Sequence, residues 1–118
     1  MKDNLEAVNW LTNNKNISPL ASNFFGDKKS ALNFVKALYK AGAKSVQIGN
    51  LYDEDWRIKK EGDAYADALL ITFPKNLVKR INILGAIMKC HPDEIMDTNK
   101  ASNAVDWATV TTVSLWWD

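Results

Sequence analysis

Between residues 27 and 41 the apolar positions fall at helical spacing. Ala31, Phe34, Val35, Leu38 and Tyr39 make one stripe, while Lys28, Lys29, Lys36 and Lys40 lie off it. Asp27 stands where a helix needs a side-chain cap, and Gly42 stands just past the last turn. A shorter pattern, Leu5, Val8 and Leu11 with Asp3 as cap, predicts a helix over residues 3–12, which the run Asn13, Asn14, Lys15, Asn16 stops. A third helix opens at Pro74 and is bounded by Pro92. Its predicted core face carries Leu77, Ile81, Leu84 and Met88.

Period-two patterning marks the strands. Residues 45–48 alternate as a half-buried strand does. Residues 65–73 put Leu69, Ile71 and Phe73 on one face and Ala68, Leu70 and Thr72 on the other, which predicts a central strand. Residues 105–117 form a long run rich in Val, Thr and Trp. Residues 17–25 contain Pro19 and suit an edge strand or an extended linker. The charged stretch 53–63 reads as an exposed connection. The sum is one α+β domain over residues 1–118, with residues 1–16 as a helical extension. Its core would be an antiparallel sheet of three to four strands with two helices on one face. With residues 17–25 as a strand, the order is the ferredoxin-like β-α-β-β-α-β.

Composition narrows the function more than it identifies it. Hydrophobic residues make up 47% of the 118 and charged residues 25%, which suits a single packed domain. Fifteen Lys and Arg against fourteen Asp and Glu leave a net charge of +1, so no polyanionic partner is implied. The first residues have no apolar signal core, and no run is long enough to span a bilayer. The expectation is a cytoplasmic protein with Cys90 as a free thiol.

Three segments, FVKALYKAGAKSV at 34–46, YADALL at 65–70 and LWWD at 115–118, resemble a group of small uncharacterised bacterial α+β proteins. The resemblance implies a bacterial origin and the α+β order, and it carries no activity to any residue.

Catalytic chemistry finds little to work with. Cys90 and His91 are each alone of their kind, and neighbours at a helix end diverge, which disfavours a nucleophile–base pair. One Cys and one His cannot complete a zinc site. Asp53 and Asp55 resemble the start of a calcium loop, yet Arg57 falls at the next ligand position. Asp67 shares the parity of Leu69 and Ile71, so it either faces the core as an acid/base candidate or sits at the sheet rim. The five glycines form no phosphate-binding motif. Lys75, Lys79 and Arg80 cluster, but no aromatic RNA-binding signature accompanies them, so nucleic acid is disfavoured. Neither a catalytic residue nor a metal or cofactor is expected.

Tryptophan is the anomaly, at five residues. Trp116 and Trp117 must point to opposite faces of a strand, so one needs cover from Trp10 and the N-terminal extension, from a second copy, or from a partner. Trp56 stands inside the most charged segment, where a core role is hard to arrange. These observations point to a non-enzymatic protein that binds another protein, such as an inhibitor or an immunity protein that occludes a toxin domain. Asp53, Glu54, Asp55, Trp56 and Arg57 would form its binding surface. The alternatives are a small-ligand-binding regulatory domain of ferredoxin-like type, touching its ligand at Gly49 and Asn50, and a small hydrolase built on Asp67 or Cys90.

Overall fold

The doubly apolar stretch at 65–72 does occupy the middle of a sheet. In the computed structural model, which describes residues 5–118, the elements run α1 (Ala7–Asn13), α2 (Ser22–Phe25), α3 (Lys28–Ala41), β1 (Ser45–Tyr52), α4 (Asp55–Glu61), β2 (Tyr65–Thr72), α5 (Leu77–Lys89), β3 (Glu94–Asp97) and β4 (Thr112–Trp116). The sheet order is β1-β2-β4-β3 with every pair antiparallel, so β2 is bonded on both sides. Val46 and Ile48 of β1, Leu69 and Ile71 of β2, and Val113 and Leu115 of β4 form the buried face. They share one core with Ala7 and Leu11 of α1, Ala31, Val35 and Leu38 of α3, and Ile83 and Ile87 of α5.

Over the described residues the chain is α+β with four strands, and the β-α-β-β-α-β order does not appear. Residues 17–25 give one parallel bridge, Leu20 to Ala66, and then the helical turn α2. The bridge is made by Pro19 O accepting from Ala66 N and Ala21 N donating to Ala66 O, both at 2.8 Å. Pro19 has no N–H to extend the ladder, and Ala21 turns left-handed at φ +43° to enter the turn. The fourth strand is instead β3, four residues long. The β-prone run 105–117 is a strand only over Thr112–Trp116.

Two helix caps follow the sequence. Asp27 accepts from Ser30 N at 2.8 Å, and Gly42, at φ +120°, donates to the carbonyls of Leu38 and Tyr39. The cap of α1 is Glu6, which accepts from Val8 N and Asn9 N; Asp3 lies outside the described residues. Burial raises the Glu6 pKa, but hydrogen bonds from the Tyr39 hydroxyl, Asn9 N and Val8 N outweigh it and hold the carboxyl below its ordinary value.

Helix α5 is turned away from its predicted face. Leu77, Ile81 and Met88 are exposed, while Arg80, Ile83 and Ile87 are buried. The two stripes lie roughly 100° apart around a helix of 3.6 residues per turn. Truncating each tests this orientation. Ile83→Ala should cost about 2–5 kcal/mol in urea unfolding, and Ile81→Ala should stay within about 0.5 kcal/mol.

Candidate functional site

The charged stretch after β1 is a helix rather than a connection. Its acids come first and its bases last, matching the helix dipole: Asp55 lies in the first turn and Lys59 and Lys60 in the last. Gly62 ends it in the left-handed region at φ +92°, donating to Ile58 O at 2.9 Å. No residue of α4 is buried, so the core does not hold this helix in place. The Asn run does. Buried Asn14 donates to Ala64 O at 3.1 Å, buried Asn16 donates to Glu61 at 3.3 Å, and Lys15 N donates to Asp63 at 2.9 Å.

The five predicted surface residues sit together, but they do not behave alike. Trp56 is 55% exposed. Asp53 and Asp55 are exposed and join no ion pair among the described residues. Arg57 is engaged within the fold: its Nε donates to Glu54 at 2.9 Å and Nη1 to Glu61 at 3.5 Å. The guanidinium also lies 4.6 Å from the Trp56 ring centre, 5.3 Å from Tyr52 and 5.8 Å from Tyr65. Hydrogen bonding to Arg57 lowers the Glu54 carboxyl, and hydrogen bonding to Glu54 raises Arg57. Arg57 therefore supports the indole, and Asp53 and Asp55 supply the outward charge.

Behind this surface lies a polar cavity of about 320 Å³, lined by Asn16, Ser18, Ser22, Arg57, Glu61 and Tyr65. The Tyr65 hydroxyl accepts from Ser22 N at 3.0 Å, and the Ser18 hydroxyl is buried without a partner among the described residues. Asp67 lies nearby, half-buried. Its Oδ2 accepts from the Tyr52 hydroxyl at 3.2 Å, while Oδ1 is buried and unpartnered among the described residues. The Asp67 charge and this hydrogen bond raise the Tyr52 pKa.

The other candidates are dispersed. Cys90 Sγ donates to Ile87 O at 3.1 Å, and burial pushes the thiol up to about 12. His91 is exposed, and no hydrogen bond joins it to Cys90. A thiol so raised is a poor nucleophile. Cys90 should label slowly with a thiol reagent in the native protein and at once in urea. Because the folded value lies above the ordinary 9.0, the stability linked to this group should fall as pH rises from about 9 towards 12. Among the described residues no cluster of three His, Cys, Asp or Glu could hold a metal. Arg80 is buried, which reduces the basic cluster around the start of α5 to Lys75 and Lys79.

Sequence reasoning missed the exposed apolar face of α5, with Leu77, Val78 and Ile81 each at least 60% exposed. Gly49 and Asn50, named from the sequence as a ligand contact, line a cavity on the sheet face opposite the core, and no sequence pattern signalled that Trp116 and Glu94 would join them there. Trp117 faces the core at 1% exposure and Trp116 the other side, as strand alternation requires. Trp10 packs against the core cluster. Among the described residues no helix is long and apolar enough to cross a membrane. Comparison with protein-family models, with curated proteins and with solved structures finds no match.

Proposed function

We propose that the protein works by binding another protein through the α4 surface, as a non-enzymatic inhibitor of the immunity-protein kind in the bacterial cytoplasm. Its partner would be a toxin domain whose active site α4 occludes. The observation that carries this reading is Trp56: a largely exposed indole on a helix that contributes nothing to the core, backed by a fixed arginine and rimmed by two exposed aspartates that join no ion pair among the described residues. An exposed aromatic with a rigid support makes a binding anchor, because little ordering entropy is lost when it enters a pocket. Asp53 and Asp55 favour a basic rim on the partner and would speed association at low salt. The exposed apolar face of α5 supports a binding role in general, since large apolar patches on soluble proteins mark interaction surfaces.

The test is affinity for the partner. Trp56→Ala should weaken binding by about 2 kcal/mol or more, some thirtyfold, with an unchanged unfolding midpoint. Asp53→Asn with Asp55→Asn should lower the association rate and its salt dependence and leave dissociation nearly unaltered. An unchanged affinity in Trp56→Ala would remove α4 from the interface.

A further inference from the structure

The cavity on the outer sheet face is about 530 Å³, within the range of small-molecule sites. The strand register explains why it is there. Gly49, Ala68, Trp116 and Glu94 form one row across all four strands, with Leu70 and Ser114 in the next row on the same face. Three of the central residues, Gly49, Ala68 and Ser114, are small and leave a floor between larger neighbours. At Gly49 even a Cβ would come within 2.6 Å of Leu70 Cδ1, so the glycine is what lets Leu70 lie across β1. Trp116 and Leu70 form the apolar walls.

The polar groups are asymmetric. Among the described residues lining the cavity, Glu94 is the ionisable one and no basic side chain joins it. Among the described residues its carboxylate holds one long contact, from Asn103 Nδ2 at 3.4 Å, so it retains acceptor capacity for a ligand. A half-exposed indole next to a carboxylate in the same cross-strand row offers a π face and an anion to one guest. Asn50, held at φ +50° where β1 and β2 skip a pair, adds a neutral polar group at the rim. Among the described residues, an anion would meet Glu94 with no compensating cation.

We infer that this face binds a small organic cation, a guanidinium or ammonium group on a flat apolar body, with its charge at Glu94 and its body against Trp116. The inference is independent of the α4 surface and stands or falls separately. Benzamidine is a suitable probe, with benzamide as its neutral isostere and benzoate as its anionic one. In amide and indole NMR titrations of the full chain, benzamidine at about millimolar concentration should shift the Trp116 indole and the Gly49 and Asn50 amides. Benzamide and benzoate should bind at least about tenfold more weakly. Glu94→Gln, at an exposed position, should lose the preference for benzamidine over benzamide, and Trp116→Leu should lose both ligands while the α4 signals stay in place. A Gly-Arg-Gly peptide binding more tightly than benzamidine would assign the guest as a partner's arginine side chain and support the same chemistry. Equal affinity for benzamide, or benzamidine shifts confined to other residues, would overturn the proposal.

Discussion

Replacing Trp117 by alanine is expected to remove a large share of the protein's stability, about 3–5 kcal/mol out of the 5–15 typical of a domain. The side chain is 1% exposed and joins parts of the chain that are far apart in sequence. Its ring meets Phe25 edge-on at 5.3 Å and Phe34 at 6.3 Å, and lies nearly parallel to Phe24 at 6.4 Å. The indole N–H donates to Cys90 O at 2.9 Å, closing the end of α5, and the backbone N–H donates to Asp67 O on β2. Deletion would therefore open a cavity beneath α2 and α3 and leave a buried carbonyl without its donor. Trp117→Phe should retain the ring packing and cost less, about the 1–3 kcal/mol of the carbonyl left unpaired. Trp116→Ala, on the half-exposed face, should cost least of the three. Urea midpoints for the three variants would establish the order, and near-ultraviolet circular dichroism would report the loss of ring packing.

Arg80 should be the second most sensitive position, although it makes no ion pair among the described residues. Its guanidinium is turned inward. Nε and Nη2 donate to Trp107 O at 3.2 and 2.9 Å, Nη1 to Pro74 O at 2.9 Å, and Nη2 to Val110 O at 2.6 Å. It also lies 5.1 Å from the centre of the Phe73 ring. One side chain thus satisfies carbonyls of the loop that leads into β4 and fastens that loop to the start of α5. Arg80→Met fills similar volume but leaves those acceptors without a donor, and should cost about 3 kcal/mol or more. Arg80→Lys should recover only part of this, because an ammonium cannot reproduce the planar fork. The loss should be nearly independent of salt, since no exposed charge pair is broken. Hydrogen exchange over residues 105–111 should rise in both variants before the sheet amides of β2 are affected.

Arg80 also explains where sequence reading failed. A charged residue in the stripe Arg80, Ile83, Ile87 made the alternative stripe Leu77, Ile81, Leu84, Met88 look like the core face. The carbonyls that accept the guanidinium lie in a distant irregular loop, and no local pattern reveals them. The helix α4 was more accessible. An acidic first turn, a basic last turn and Gly62 are helix-end signals, obscured by a charge density that resembles a loop and by the lack of a capping side chain at Glu54. Strand β3 is too short to show a period, and it exists because β4 offers it an edge. Helix α3 and strand β2 were fully legible, with Asp27, Gly42 and the doubly apolar alternation as predicted. At the α4 surface the sequence identified the exposed indole, but not that Arg57 would fold back onto three aromatic rings.

The binding role is tested most directly by capture from native lysate with three tagged forms side by side: wild type, Trp56→Ala and Ile81→Lys. The account predicts that wild type and Ile81→Lys retain one stoichiometric partner whose own activity is inhibited in the complex, and that Trp56→Ala, equally folded, releases it. Retention by Trp56→Ala together with loss by Ile81→Lys would contradict the account and move the interface to the exposed face of α5.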